Sequence, residues 1–316
     1  MSMKARVLLK FSLPLQSICG GLSEPSGGIH FMNEPEIRTQ NIGDHDIEYL
    51  YYEGEGPVII MLHATGFLPW LWHPVARRLC GDYRVIAPYF CDHRDADPEA
   101  GGLSWVTLAE DLCEFCRRLE LEAPLLVGHS MGATVMTLAA ALHEQETRGM
   151  VFFEPIYLPE QVYEIDLAVE QHPLASKSIK RRNFWEDHDA ARDYLRSKKL
   201  FAVWDEEALE LYLKYGMISG DGGGLTLACH PRKEASLFMG GSHRNPWPLL
   251  EKLIGPVLVL EGETSENRAF IDLKKAASMM GQGTYRLVEG AGHLIPMEKP
   301  EESAGLIAEF FGGSCS

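Results

Sequence analysis

Short apolar runs alternate with amphipathic stretches along most of this chain. Ile47 to Tyr52 is apolar-rich and leads through Gly54 and Gly56 into Pro57-Val-Ile-Ile-Met-Leu62, whose unbroken apolar run predicts a central strand buried on both faces. Trp70 to Cys80 has helical spacing, Tyr83 to Ala87 predicts a strand, and Thr107 to Leu119 a second helix. Pro124 to Val127, Met131 to Leu142 and Gly149 to Glu154 continue as strand, helix and strand, the rhythm of parallel βαβ units. Such sheets carry their sites at the carboxyl ends of the strands.

The rhythm breaks between about Tyr157 and Trp247. Helical patterns stand there without strong strands, over Pro159 to Gln171, Asp187 to Lys198 and Asp205 to Tyr215, the last opened by an acidic N-cap and closed by Gly216. Ser219-Gly-Asp-Gly-Gly-Gly224 lacks the spacing of a nucleotide or calcium loop and reads as a plain connector. Strand, helix and strand resume at Pro256 to Glu261, Ile271 to Met279 and Tyr285 to Val288, before a closing helix, Glu301 to Phe311, entered through Pro300. The expected organisation is an α/β core over 36–156 and 248–316, a helical cap inserted at 157–247, and a leader over 1–35. The leader carries Lys4, Arg6 and Lys10 before any acidic residue, and Lys10 and Pro14 interrupt its apolar patch, so it is expected to be disordered. A cytoplasmic protein is expected, with export or organelle targeting left open by that leader.

Composition narrows the function classes. The chain has 316 residues, 46% of them hydrophobic and 23% charged, and no run reaches the roughly 18 apolar residues of a membrane-spanning helix. A net charge of −16 argues against nucleic acid as partner, and the oligomeric state is unreadable. Seven cysteines, an odd number, read as reduced thiols. Cys113 and Cys116 form a C-x-x-C inside a helical stretch with no second Cys or His pair, and read as small residues on a buried helix face rather than a redox or zinc site. No metal or other cofactor is expected.

The candidate chemistry centres on Leu125 to Met136, where an apolar strand meets an apolar helix through Gly128-His-Ser-Met-Gly132. A sharp strand-to-helix turn strains its central residue and leaves no room for neighbouring side chains, so Gly-x-Ser-x-Gly makes Ser130 the candidate nucleophile. The N–H of Met131, at the helix start, is one candidate oxyanion donor. Thr65, in the His63-Ala64-Thr65-Gly66-Phe67 loop after a central strand, offers a second, though a tight turn needing glycine reads equally from these residues. His293, in Glu289-Gly-Ala-Gly-His293 after the last strand, is the candidate base. Phe67, His129, Tyr212 and Tyr215 are candidate substrate contacts. The lid tyrosines, Tyr163 and Tyr194 among them, also have the helical spacing of packing residues.

Gly-His-Ser-Met-Gly, the His-Ala-Thr-Gly-Phe loop, Ala291-Gly292-His293 and Met297-Glu-Lys-Pro300 together resemble the α/β-hydrolase family over roughly residues 45 to 312. The resemblance implies a mostly parallel eight-stranded sheet flanked by helices, with Ser130 as nucleophile, His293 as base, and Met131 and Thr65 as oxyanion hole. Dehalogenases and epoxide hydrolases of this fold use an Asp where Ser130 stands, which sets those chemistries aside. The family's usual acid, an Asp after the seventh strand, corresponds to Ser265 in Gly262-Glu-Thr-Ser-Glu266, and a serine cannot hold an imidazolium by charge. The acid is therefore expected at Glu154, a carboxylate closing an apolar strand as in some haloalkane dehalogenases, with Glu266 as the alternative. The expected reaction is cleavage of a small-molecule carboxylic ester or related acyl bond through an acyl-enzyme. Acyl transfer to an alcohol, carbon–carbon bond hydrolysis, and a binding protein without turnover stay as alternatives.

Overall fold

The computed structural model describes residues 34–313 except Asp92 and Asp221, so the expectations for residues 1–33 lie outside the described residues. The strands are β1 (Glu36–Asn41), β2 (Asp46–Tyr52), β3 (Val58–Leu62), β4 (Arg84–Pro88), β5 (Leu125–His129), β6 (Met150–Phe153), β7 (Met217–Ser219), β8 (Leu225–Leu227), β9 (Val257–Gly262) and β10 (Gly283–Val288). Eight of them form one sheet in the order β1-β2-β4-β3-β5-β6-β9-β10. β2 pairs antiparallel with β1 and β4, and every other pairing is parallel. The eight-stranded, mostly parallel sheet expected of the chain is present.

Fully apolar strands make this sheet central because each face has a layer to meet. Ile59 and Met61 of β3 point into one core with Val127, Val151 and Leu258, covered by the helices His73–Leu79 and Pro300–Gly313. Their neighbours Ile60 and Leu62 alternate into the other core with Leu126, Phe152 and Val259, under the helices Trp105–Arg118, Met131–Leu142 and Leu273–Met279. β1, an edge strand with no fully buried residue, shows little apolar alternation, and the sequence reading misses it. The stretch Trp70 to Cys80 is a 3-10 turn over Pro69–Trp72 followed by the helix.

Between β6 and β9 the structure departs further from the expected pattern. Pro159 to Gln171 is not a helix. It holds one 3-10 turn, Glu160–Glu164, after which Ile165 is extended, because apolar residues at 162, 165, 167 and 169 do not keep to one helical stripe. The helices His188–Arg196 and Glu206–Tyr215 form as expected, each opened by an aspartate: Asp187 accepts from the N–H of Ala190, and Asp205 from those of Glu207 and Ala208. A helix at Pro231–Gly240 goes unnoticed in the sequence. The glycine-rich connector is the turn of a two-stranded hairpin, β7 with β8, closed by Gly220 N–H to the Gly224 carbonyl at 3.1 Å. Cys113 and Cys116 lie on the Trp105–Arg118 helix, where burial raises both thiols above their ordinary value, Cys113 to about 11. Neither Cys113 nor Cys116 is in a disulfide. Among the described residues, no helix is long and apolar enough to cross a membrane.

Packing is tight where the helix Met131–Leu142 leaves β5. A Cβ on Gly132 would lie 2.5 Å from the Leu62 carbonyl oxygen, and one on Gly128 2.5 Å from the backbone of Ala133. Gly132→Ala is therefore expected to lower stability by about 2 kcal/mol through overpacking. Gly305→Ala, on an exposed helix face with open space around it, should raise stability by about 0.8 kcal/mol. Urea midpoints of the two variants check both, and a Gly132→Ala protein as stable as the parent would contradict the packing account.

Candidate active site

Three strand ends bring the candidate residues together. β5 and β6 are registered with His129 opposite Phe153, so the next residues, Ser130 and Glu154, leave adjacent strands side by side. Both are non-glycine residues with positive φ: Ser130 has φ 56° and ψ −116°, and Glu154 has φ 50°. That strain persists because neighbours hold it in place: Ser130 N–H donates to the Phe153 carbonyl at 2.9 Å, and Glu154 N–H to that of Leu260 at 2.8 Å. His293, on the loop after β10, reaches back across two strands. Its Nε2 lies 3.1 Å from Ser130 Oγ and its Nδ1 3.0 Å from Glu154 Oε2.

Glu154 is 1% exposed, and its oxygens are fully engaged. Oε1 accepts from Gly262 N–H at 2.7 Å, and Oε2 from the Ser265 hydroxyl at 2.8 Å as well as facing His293. A carboxylate facing Nδ1 favours the tautomer with hydrogen on that nitrogen, which turns the lone pair of Nε2 toward the serine hydroxyl. The Asn267 side-chain amide sits 3.0 Å from the same Nδ1. Glu266, the alternative acid, is 84% exposed and paired with Lys199 at 2.7 Å, and has no contact with His293.

The loop of His293 is fixed from several sides. The N–H groups of Gly292 and Leu294, flanking the histidine, donate to the two oxygens of Glu298 at 2.7 and 3.1 Å, which gives the Met297-Glu-Lys-Pro300 motif a physical purpose. Gly262 must lack a side chain, since a Cβ there would lie 2.1 Å from the Gly292 carbonyl oxygen. His129 is 1% exposed and its Nε2 donates to the His293 carbonyl at 2.9 Å. Expected among the substrate contacts, it is instead spent on holding this loop.

On the opposite side, His63 organises the loop that carries Thr65. Its Nε2 accepts from Phe90 N–H at 3.0 Å, so the hydrogen is on Nδ1, which donates to the Ala64 carbonyl at 2.9 Å. The segment around Phe90 is pinned in turn: Arg94 binds both oxygens of buried Asp111 at 2.6 Å, and His93 adds a contact at 2.9 Å. Burial alone would raise Asp111, but the hydrogen bonds from Arg94 and His93 outweigh it and lower the carboxyl below its ordinary value. Met131 is the first residue of its helix, a position whose N–H has no acceptor within the helix. Phe67, Tyr212 and Tyr215 line one cavity of about 20 Å³, and Phe67 packs edge-on against Tyr212 and Trp204. Tyr215 stacks on Trp70 at 3.7 Å, and buried Tyr212 has its phenol pushed up to about 12 by loss of solvent. Ser265, Gly262, Glu298 and His63 escaped the sequence reading as supporting groups. Ser265 stood out there as a hydroxyl at the family's usual acid position, and the other three only as unassigned members of motifs.

The strand order, the sharp turn after β5 and the histidine after the last strand together define an α/β hydrolase. The model of the alpha/beta hydrolase family matches residues 59–306, and the chain belongs to that family. It is similar to the 2-(acetamidomethylene)succinate hydrolase of Mesorhizobium japonicum, 24% identical over 258 residues, 82% of this chain and 89% of that protein. It is also similar to the (E)-2-((N-methylformamido)methylene)succinate hydrolase of Acinetobacter baylyi, 21% identical over 84% of this chain and 94% of that one. Among solved structures, E-2-(acetamidomethylene)succinate hydrolase superposes with a TM-score of 0.74 at 22% identity, covering 88% of this chain and 99% of the other.

Burial depresses His63 to about 4 and His129 to about 3, so both are neutral near pH 7. The folded protein then binds fewer protons than the unfolded chain below the ordinary histidine value of about 6.5. The stability this represents is fully present above that value and is lost as pH falls through it toward the folded values. Between pH 7 and pH 5 each histidine is expected to remove about 2 kcal/mol. His129→Gln, which keeps a donor for the His293 carbonyl but cannot titrate, should show a shallower fall. Urea unfolding at the two pH values measures this, and equal slopes for variant and parent would mean that His129 titrates normally in the fold.

Proposed function

We propose that the protein is a serine hydrolase cleaving an acyl bond of a small molecule, a carboxylic ester in the first instance, through an acyl-enzyme on Ser130. The observation that carries this reading is the continuous relay from Ser130 Oγ to His293 Nε2 at 3.1 Å and from His293 Nδ1 to Glu154 Oε2 at 3.0 Å. In this mechanism His293 takes the Ser130 proton as Oγ attacks the substrate carbonyl. Glu154 stabilises the imidazolium that forms, while the N–H groups of Met131 and Thr65 receive the oxyanion. The imidazolium then protonates the leaving group. A water, deprotonated by His293, attacks the acyl carbon, and Ser130 is released with the carboxylic acid product. Residues 157–247 act as a cap, and Phe67, Tyr212 and Tyr215 shape the substrate end of the site.

An N-acyl bond is a second reading, favoured by the two relatives of Mesorhizobium and Acinetobacter. Both are named for substrates in which an acyl group is carried on nitrogen, and the same tetrahedral step serves an amide. A panel of p-nitrophenyl esters and N-acyl enamines separates the two by kcat/KM.

Three variants test the roles. Ser130→Ala should abolish labelling by a fluorophosphonate and lower turnover by at least about a thousandfold, with the fold intact by circular dichroism. Persistent labelling would sink the serine reading and leave a binding protein as the better account. Glu154→Gln keeps size but removes charge. The corresponding Asp-to-Asn change in the serine-protease template costs about ten-thousandfold, and a loss of at least about a hundredfold in kcat is expected here. Glu266→Gln should stay within about tenfold of the parent, as a solvated carboxylate contributes little. A crippled Glu266→Gln beside a near-normal Glu154→Gln would reverse the assignment.

A further inference from the structure

An ion pair in the inserted segment lies against the loop of Thr65 and Gly66. Arg181 Nη1 donates to both oxygens of Glu234, at 2.9 and 2.8 Å, and Ser178 Oγ donates to the same carboxylate. The Tyr212 hydroxyl lies beside Arg181, close enough for each to act on the other's charge. The two side chains are 26% and 12% exposed, so water screens them only in part. Three separate helices of the insertion, Ala175–Ile179, Glu206–Tyr215 and Pro231–Gly240, thus meet at one carboxylate or at its arginine.

That carboxylate is seated on Gly66. A Cβ at position 66 would lie 2.5 Å from Glu234 Oε1 and 2.8 Å from its Cδ, so the acid fills the space that the glycine leaves open. With φ +73°, Gly66 also occupies the left-handed region that other residues avoid. Thr65, whose N–H is assigned above to the oxyanion, is the next residue, its Cα about 3.8 Å from that of Gly66. A formal negative charge therefore stands one residue from the point where negative charge develops during the reaction. Left uncompensated, it would oppose the transition state, and weak screening makes the opposition strong.

We propose that Arg181 is a positioning residue of the reaction: by clamping and neutralising Glu234 against Gly66, it keeps the charge of the insertion from opposing the oxyanion beside Thr65. The inference rests on the serine-hydrolase reading. It differs from an ordinary structural ion pair in the sign of its effects. A pair that only braces the fold is weakened by losing either partner, and losing both does not help. A pair whose arginine shields a carboxylate is harmed by losing the arginine, is not harmed by losing the acid, and recovers when both are neutral.

The test uses the full chain and phosphonylation by a fluorophosphonate, which needs no knowledge of the substrate. Ser130 Oγ bonds to phosphorus, fluoride leaves, the serine proton passes to His293, and the phosphoryl oxygen occupies the oxyanion position. Rates at rising probe concentration give a plateau rate and a half-saturation value. Arg181→Gln should lower the plateau rate by about thirty- to a hundredfold, somewhat less than removing an oxyanion donor outright, with half-saturation within about threefold. Glu234→Gln should match or exceed the parent, and Arg181→Gln/Glu234→Gln should return to within about fivefold of it. Arg181→Lys keeps the charge, should remain within about fivefold, and carries the test if Arg181→Gln fails to fold. A double variant as slow as Arg181→Gln, a slow Glu234→Gln, or a slow Arg181→Lys that folds would each overturn the proposal. A parent protein that is not labelled at all, or is still labelled after Ser130→Ala, would instead overturn the serine-hydrolase reading. A labelled parent with an unaffected Arg181→Gln would overturn this inference alone.

Discussion

Glu154 places a carboxylate, 1% exposed, at the end of a parallel strand, where an ionised group is tolerated only if its oxygens are occupied. The partners come from two segments distant in sequence: the end of β9, with Gly262 N–H and the Ser265 hydroxyl just beyond it, and the loop after β10, with His293. Each requires the others. Gly262 can offer its N–H and still let the histidine loop pass because it has no side chain, and Ser265 donates to the acid where an aspartate would have repelled it. One buried charge thereby ties β6, β9 and the last loop into a single arrangement.

The same economy governs the histidine. Glu298 accepts both amides flanking His293, and His129 donates to its carbonyl, so the ring is directed by a backbone with little freedom of its own. His129 and His63 do comparable jobs on the two sides of Ser130, one under the loop of the base and one under the loop of Thr65. Both are neutral, which gives each ring one donor and one acceptor and keeps positive charge away from the imidazolium proposed to form at His293. The strained φ values of Ser130 and Glu154 belong to this framework as well: each residue turns sharply off its strand while its N–H continues the ladder to the neighbouring one.

The insertion is built on different terms. Its helices are short, and it touches the loop of Thr65 through Phe67 against Trp204 and Tyr212, and through Glu234 on Gly66. A chain with a net charge of −16 has to manage carboxylates near any site where negative charge develops. Here Glu234, the acid seated on Gly66, carries an arginine and a serine hydroxyl, whereas Glu266, out in solvent, pairs with a lysine on a flexible stem.

Local sequence was enough for the core because local physics decides it. Unbroken apolar runs must be central strands, and amphipathic stretches between them must be covering helices. Gly-x-Ser-x-Gly suits a turn with no room for a Cβ, as the 2.5 Å approaches at Gly128 and Gly132 bear out. Ser130 and His293 were legible for the same reason, each lying at the end of a recognisable strand. The sequence favoured Glu154 over Glu266 but could not exclude the latter, because their surroundings depend on the register of β6 against β9 and on the reach of Lys199. It gave no sign of the bond from His129 to a carbonyl 164 residues away. It also missed the helix Pro231–Gly240 and turned Pro159 to Gln171 into a helix. Short elements in an insertion take their form from what they pack against rather than from their own periodicity. The seating of Glu234 on Gly66 joins residues 168 positions apart, and only the folded chain could bring that carboxylate to the loop of Thr65.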